Sequence, residues 1–322
     1  MSSKFSTFIC QNCGSETSQY FGRCVNCNEW NTIVEERKNS RSKTTNVNKI
    51  KKSKLFNEIE IDTISRFTSG FKEFDRVLGG GIVPGSIVLL GGEPGIGKST
   101  IVLQSAGKIS LHEKVLYITA EESLEQVKIR WERLNQNSLD LKIYAETNLS
   151  LIIEEIKNIK PSFAIIDSIQ AINNDEMESS PGSVSQVRTC SSELQNLAKD
   201  NNIALLIIGH VTKDGSLAGP KTLEHLVDVV LNFEGDNISS HRLLRSVKNR
   251  FGSTFEIGIF EMLENGLREV SNPSSIFTNK ENISGVTTTI TNEGSRPFAV
   301  DIQALVNKTF YNNPRRTTTG IS

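Results

Sequence analysis

No part of this chain stays apolar for long. The longest aliphatic run, IALLII at 203–208, has six residues, far short of the ~20 that span a bilayer as a helix. The opening MSSKFSTFICQ has no apolar segment of the kind found in a secretory leader. Charge of one sign is missing too: 36 basic residues face 37 acidic ones, for a formal net charge of −1. A polyanionic partner would therefore be met by a local patch and not by the field of the whole molecule. Cysteine is scarce, five in 322 residues. Together these absences lead to the expectation of a cytoplasmic chain of two or three domains, with no membrane partner and with reduced thiols.

What cysteine there is has a pattern. Cys10, Cys13, Cys24 and Cys27 form C-x2-C-x10-C-x2-C. Each pair places two thiolates on one tight turn, and two such turns facing each other give a closed tetrahedral site for Zn²⁺. A redox dithiol is the alternative. Four protein ligands leave no open position, so such a metal holds structure and does no chemistry. Gly14 and Gly22 are expected to permit the turns and Trp30 to cap the small apolar side; Cys190, alone in a helical stretch, reads as packing. After this module comes RKNSRSKTTNVNKIKKSK (37–54), with eight cations and no anion. Such a run cannot bury enough surface to order itself and reads as a linker, either a plain tether or one that also touches nucleic-acid phosphates.

The central region carries the chemistry. SIVLLGG reads as a strand and TIVLQSAGKI as a helix. Between them Gly92, Glu93, Pro94, Gly95, Ile96, Gly97, Lys98 and Ser99, with Thr100 following, fit G-x4-G-K-[ST]. Glycines let the backbone curl so that N–H groups face a phosphate, and the helix N-terminus adds its dipole. Lys98 is expected on the β- and γ-phosphates of ATP, and Ser99 on Mg²⁺. Two further apolar strands end in acids. One reaches Glu121-Glu122, either of which could poise water as general base; the other reaches Asp167, suited to the metal shell. A third, IALLIIGH, ends at His210, a γ-phosphate sensor or a structural histidine. Strands alternating with helices after such a loop predict an α/β fold: a mostly parallel sheet with helices on both faces, all these groups lying at the strands' C-terminal edge.

Three other segments stand out. SVKNRFGST sets Lys248 and Arg250 two residues apart between β-like runs, more than a hairpin turn needs; read blandly, it is a solvated loop in which Gly252 supplies φ > 0. These cations could serve a nucleotide, touch DNA or simply be solvated. Two polar loops, 173–188 and 211–225, follow catalytic strands and offer Arg188, Lys213 and Lys221 to a phosphate backbone, with no aromatic platform for bases. Asp175, Glu176 and Glu178 argue against the whole first loop facing DNA.

The zinc module with FGRCVNCNEWNT, RFTSGFKEFDRVLGGGIVPGS, GGEPGIGKST and KNRFG together resemble the bacterial RadA (Sms) family, through the whole chain. That resemblance implies a RecA-like ATPase core at 55–272, after a zinc module at 1–36 and the linker at 37–54. At 273–322 it implies the start of a Lon-protease-like domain, cut short here and with no protease pair to assign. It further implies a ring, six-membered in the family, acting on single-stranded and branched DNA alongside the RecA recombinase in recombination and repair. In such a ring a neighbour's Lys248 and Arg250 would reach the γ-phosphate. Two other readings stand beside this helicase-like motor: a strand-exchange filament and a KaiC-like ATP-switched scaffold.

Overall fold

A computed structural model describes residues 6–10, 13–37, 66–136, 138, 140–209, 222–235, 240–279, 283–308, 310, 313 and 315–320. The chain divides into two compact units, Met1–Val270 and Ser271–Ser322. Of the linker expected at 37–54, only Arg37 is among the described residues.

The first unit opens with a small antiparallel sheet, order β2-β1-β3, built from β1 (Ser6–Cys10), β2 (Glu16–Thr17) and β3 (Ile33–Arg37). After α1 (Lys72–Leu78) the main sheet begins: β4 (Ile87–Gly92), α2 (Lys98–Ile109), β5 (Val115–Thr119), α3 (Leu124–Arg133), β6 (Lys142–Ala145), α4 (Leu149–Ile159), β7 (Phe163–Asp167), α5 (Val184–Asn201) and β8 (Ala204–Ile208). There follow α6 (Thr222–Leu226), β9 (Val229–Glu234), β10 (His241–Asn249), β11 (Ile257–Leu263) and β12 (Gly266–Glu269). The nine strands run β12-β11-β10-β9-β4-β8-β7-β5-β6. From β9 to β6 every pairing is parallel, while β10 to β12 form an antiparallel meander.

The apolar runs are continuous because both faces of the parallel strands are covered. Along β4, Val88 and Leu90 enter the layer with α1, α2 and α3, while Ile87 and Leu89 enter the opposite layer with α4 and α5. β5 divides likewise, Val115 and Tyr117 to the first layer, Leu116 and Ile118 to the second. Side chains closing helix starts are where turn chemistry predicts them. Ser123 forms a capping box with Gln126 on α3, Asn148 caps α4, and Ser183 caps α5. Among the described residues no helix is long and apolar enough to cross a membrane.

The KNRFG segment begins inside β10, not in a loop: Lys248 pairs with Val230 and Asn249 with Val229. Gly252 is not in the left-handed region that the solvated-loop reading gives it. Its lack of a side chain serves a close approach instead, since a Cβ there would lie 2.9 Å from Gly79 Cα. Arg66 fastens the same junction, donating to the carbonyls of Gly79 and Phe251, and Asn249 Nδ2 donates to Val77 O at 3.2 Å. Gly252→Ala is therefore expected to cost ~1–3 kcal/mol by overpacking, read as a lower urea midpoint; an unchanged midpoint would contradict the contact.

The second unit contains α7 (Ser274–Phe277) and a hairpin of β13 (Val286–Glu293) and β14 (Arg296–Gln303). Phe298 is buried, with its ring edge-on to Phe277.

Candidate nucleotide site and metal centre

β4 ends at Gly92 and α2 starts at Lys98, and the backbone of this turn is shaped by glycine. Gly92, Gly95 and Gly97 have φ of 154°, 78° and 115°, angles at which a Cβ is strained. A Cβ on Gly92 would come within 2.5 Å of Phe233 O, and one on Gly97 within 2.5 Å of Met262 Cε. The loop thus rests on β9 and β11, and Arg242 of β10 donates from Nε to Ile96 O at 3.2 Å. No side chain caps α2 and no acid lies in its first turn, so the positive end of the helix faces the loop unopposed. Those features fit an anion.

Lys98 is buried, and its ammonium donates to Gly92 O at 2.7 Å and Glu93 O at 2.8 Å. Burial lowers its pKa, while the charges of Asp167, Glu121 and Glu93 act to raise it. Asp167 closes β7, also buried, and the peptide to Ser168 is cis. Burial raises its carboxyl above the usual range, against hydrogen bonds from Tyr117 and Ser99 and the charge of Arg130. Tyr117, wholly buried, is pushed well above its ordinary pKa by burial and by Asp167, and its hydroxyl donates to Asp167.

The two adjacent acids separate. Ser168 donates its hydroxyl to the Glu121 carboxylate, and Glu121 adds its charge to those around Lys98 and Asp167. Glu122 forms an ion pair with Arg130. Lys98, Ser99, Glu121 and Asp167 are therefore brought together at one sheet edge.

Lys248 and Arg250 are not. Gly92 pairs with Phe233 on β9, whereas Lys248 pairs with Val230, about 10 Å back along that strand. In this position Lys248 Nζ donates to Glu224 O at 2.6 Å and Val227 O at 2.8 Å, and Arg250 Nη1 to Asp228 Oδ1 at 3.0 Å. Asp228 is buried and also accepts from Ile87 N at 3.1 Å. The pair thus sits at the opposite edge of the sheet, beside the start of the strand that ends in the glycine loop.

Arg188 lies on α5 and not in a loop. Its Nη1 donates to Gly14 O at 3.1 Å and meets Glu16 Oε1 at 3.3 Å, tying the helix to the N-terminal ribbon. His210, Lys213 and Lys221 lie outside the described residues.

In the ribbon the four thiols lie within 4.8 Å of one another. Cys10 Sγ is 3.6 Å from Cys27 Sγ, and Cys13 Sγ 3.5 Å from Cys24 Sγ, close to the ~3.8 Å edge of a tetrahedron with 2.3 Å Zn–S bonds. The donor set fits zinc. Burial acts to raise the Cys24 thiol, but hydrogen bonds from the Cys27 and Asn26 backbone and the Ser15 side chain prevail and bring it down to about 6. The two turns are alike: Gly14 N donates to Cys10 O, and Asn28 N to Cys24 O. Gly14 and Asn28 take the left-handed conformation, so Asn28, not Gly22, plays that part in the second turn. Trp30 is 66 % exposed beneath the Arg23 guanidinium; Ile33 fills the apolar side instead. Cys190 is packed inside, its thiol raised by burial to about 12.

Sequence reasoning passed over Tyr117, Ser168, Arg242 and Met262. Of these only Tyr117, a phenol in an otherwise aliphatic strand, offered a visible signal.

Comparisons with known proteins agree with this geometry. A rubredoxin metal-binding domain model matches residues 8–35, and the KaiC ATPase model matches residues 67–153. DNA repair protein RadA of Streptococcus pyogenes is 51% identical over all of this chain and 72% of its own length. Its namesake in Listeria monocytogenes is 50% identical over 98% of this chain and 70% of its own length. Among solved structures, a KaiC-like protein of Pyrococcus horikoshii has a TM-score of 0.53 at 21% identity, covering 64% of this chain and 99% of its own. The RadB recombinase has a TM-score of 0.50 at 22% identity, covering 63% of this chain and 99% of its own. The fold is RecA-like.

Proposed function

Because the chain belongs to the RadA family of DNA repair proteins, we propose that it is a DNA-dependent ATPase. In this reading it is a ring-forming, helicase-like motor in the cytoplasm that processes branched recombination intermediates, alongside the RecA recombinase. One observation supports it above the rest. Lys98, Glu121 and Asp167 converge on the glycine loop, while Lys248 and Arg250 occupy the opposite edge of the same sheet. Within one copy the two sets lie apart, which supports a reading in which a second copy completes the site.

The residues would divide the work as follows. Backbone from Gly92 to Thr100 and the Lys98 ammonium hold the phosphates of ATP; Ser99 and Asp167 hold Mg²⁺. Bound Mg²⁺ supplies charge that offsets the negative charge of the transferring phosphoryl group. Glu121, steadied by Ser168, orients the attacking water and takes its proton. A neighbouring copy's Lys248 and Arg250 add positive charge where negative charge develops. Cys10, Cys13, Cys24 and Cys27 hold Zn²⁺, which fastens the ribbon. Residues 273–322 read as Lon-protease-like, without proteolytic activity.

The decisive measurement is ATP turnover with and without single-stranded DNA over a range of salt. Stimulation that fades steeply as salt rises is expected, since phosphate contacts release counterions. No stimulation at any salt would remove DNA from the reading. Lys248→Ala is expected to retain ATP binding and to lose about a hundredfold in turnover. Unchanged turnover in that variant would exclude the neighbour's contribution.

A further inference from the structure

The sequence of β5 is VLYIT, its first four residues alternating between two apolar layers. Tyr117 is the middle residue, with no exposed surface, packed with Val115, Ile165 and the α2 side chains. Packing alone calls for phenylalanine here, because a buried hydroxyl without a partner is a penalty. The partner is at the end of the next strand. β5 and β7 are in parallel register, Tyr117 beside Ile165 and Thr119 beside Asp167, so the phenol reaches along the sheet to the strand terminus. There it donates to Asp167 Oδ2.

We propose that Tyr117 is a positioning residue: its hydroxyl fixes one oxygen of the Asp167 carboxylate so that the group is set for a metal-bound nucleotide. This rests on the reading of Asp167 as the metal-shell acid. Asp167 has a second hydroxyl donor, Ser99, in the first turn of α2. That turn directly follows the glycine loop, so the Ser99 hydroxyl is available to a metal that arrives with the phosphates. The Tyr117 bond comes from the buried side and is independent of loading. Tyr117 therefore holds the carboxylate still while Ser99 changes partner. Partners that orient a ligating carboxylate are worth 10–100-fold in metal affinity when removed.

The test is Mn²⁺ binding to the full chain in the presence of a non-hydrolysable ATP analogue, followed by electron paramagnetic resonance, for the parent and Tyr117→Phe. The variant keeps the volume and loses only the hydroxyl. Its Mn²⁺ affinity is expected to fall about 10–100-fold, while metal-free binding of the analogue in EDTA stays within about twofold. Should Tyr117→Phe fail to fold, Tyr117→Leu gives the same readout. In an Asp167→Asn background, Tyr117→Phe is expected to make no further difference. Parent-like Mn²⁺ affinity in the variant overturns the proposal, as does an undiminished effect in the Asp167→Asn background. Parent protein that binds no Mn²⁺ with the analogue, or an Asp167→Asn variant that binds it as tightly as the parent, overturns the site reading beneath it.

Discussion

Lys98→Met is expected to lower ATP turnover by roughly 10²–10³-fold. The ammonium already lies where the β4 backbone ends, donating to Gly92 O and Glu93 O. With phosphates in the loop it has acceptors of greater charge close at hand, so little reorganisation is needed before reaction. Methionine keeps most of the buried stem and removes the charge and every donor. Asp167 and Glu121 then lose the cation that faces them, and the Asp167 carboxyl, already raised by burial and by Glu121, should move further upward in pKa. Steady-state turnover, with an unfolding curve to show that the variant is folded, checks this. Turnover within tenfold of the parent would take the glycine loop out of the chemistry.

The second large effect concerns the ribbon. Its buried apolar cluster is Cys10, Cys24 and Ile33, and one strand of its sheet has two residues. Burying one isoleucine contributes about 1.5–3 kcal/mol, whereas ordering each residue's backbone costs about 1–2 kcal/mol. Packing of that size cannot hold the ribbon by itself; a structural zinc site adds about 10–16 kcal/mol of folding free energy. Cys24→Ser, or prolonged chelation, is therefore expected to leave residues 8–35 unfolded and open to protease, with the stoichiometric zinc lost. The ATPase sheet, with its own two apolar layers, should keep its unfolding midpoint. The Arg188–Glu16 pair, about half exposed on each side, is too solvated to hold the ribbon in place of the metal. A ribbon that stays protected in EDTA would show that the thiols bind no structural ion.

Local chemistry is what the sequence made readable. Three glycines before Lys98 and Ser99 have few uses other than a curled loop, and four cysteines in two tight pairs have few uses other than a metal. The apolar runs of β4, β5, β7 and β8 announced strands covered on both faces. Long-range register was not readable. That Lys248 stands opposite Val230, and so far from Gly92, depends on how β10 pairs with β9. Arg188 was placed by motif in a loop, but the Ser183 cap starts α5 earlier and carries it onto a helix. Trp30 and Gly252 depart from their simplest local readings for a related reason. An aromatic beside cysteines suggests a core, and a glycine in a turn suggests φ > 0, yet a neighbouring Ile33 and a crossing backbone at Gly79 decided both. Tyr117 passed as one more apolar strand residue because its hydroxyl's partner lies on a different strand.

The placement of the glycine loop and the KNRFG cations at opposite ends of the same strands gives each copy a polarity. On the proposed reading, two copies complete the pockets either reciprocally about a twofold axis, each lending its cations to the other, or nose to tail along a row. A row would end in one unfinished pocket and one idle pair of cations, and closing it into a circle, as the proposed ring does, would leave neither. Specific activity should therefore climb with protein concentration and level off when the last gap is shut.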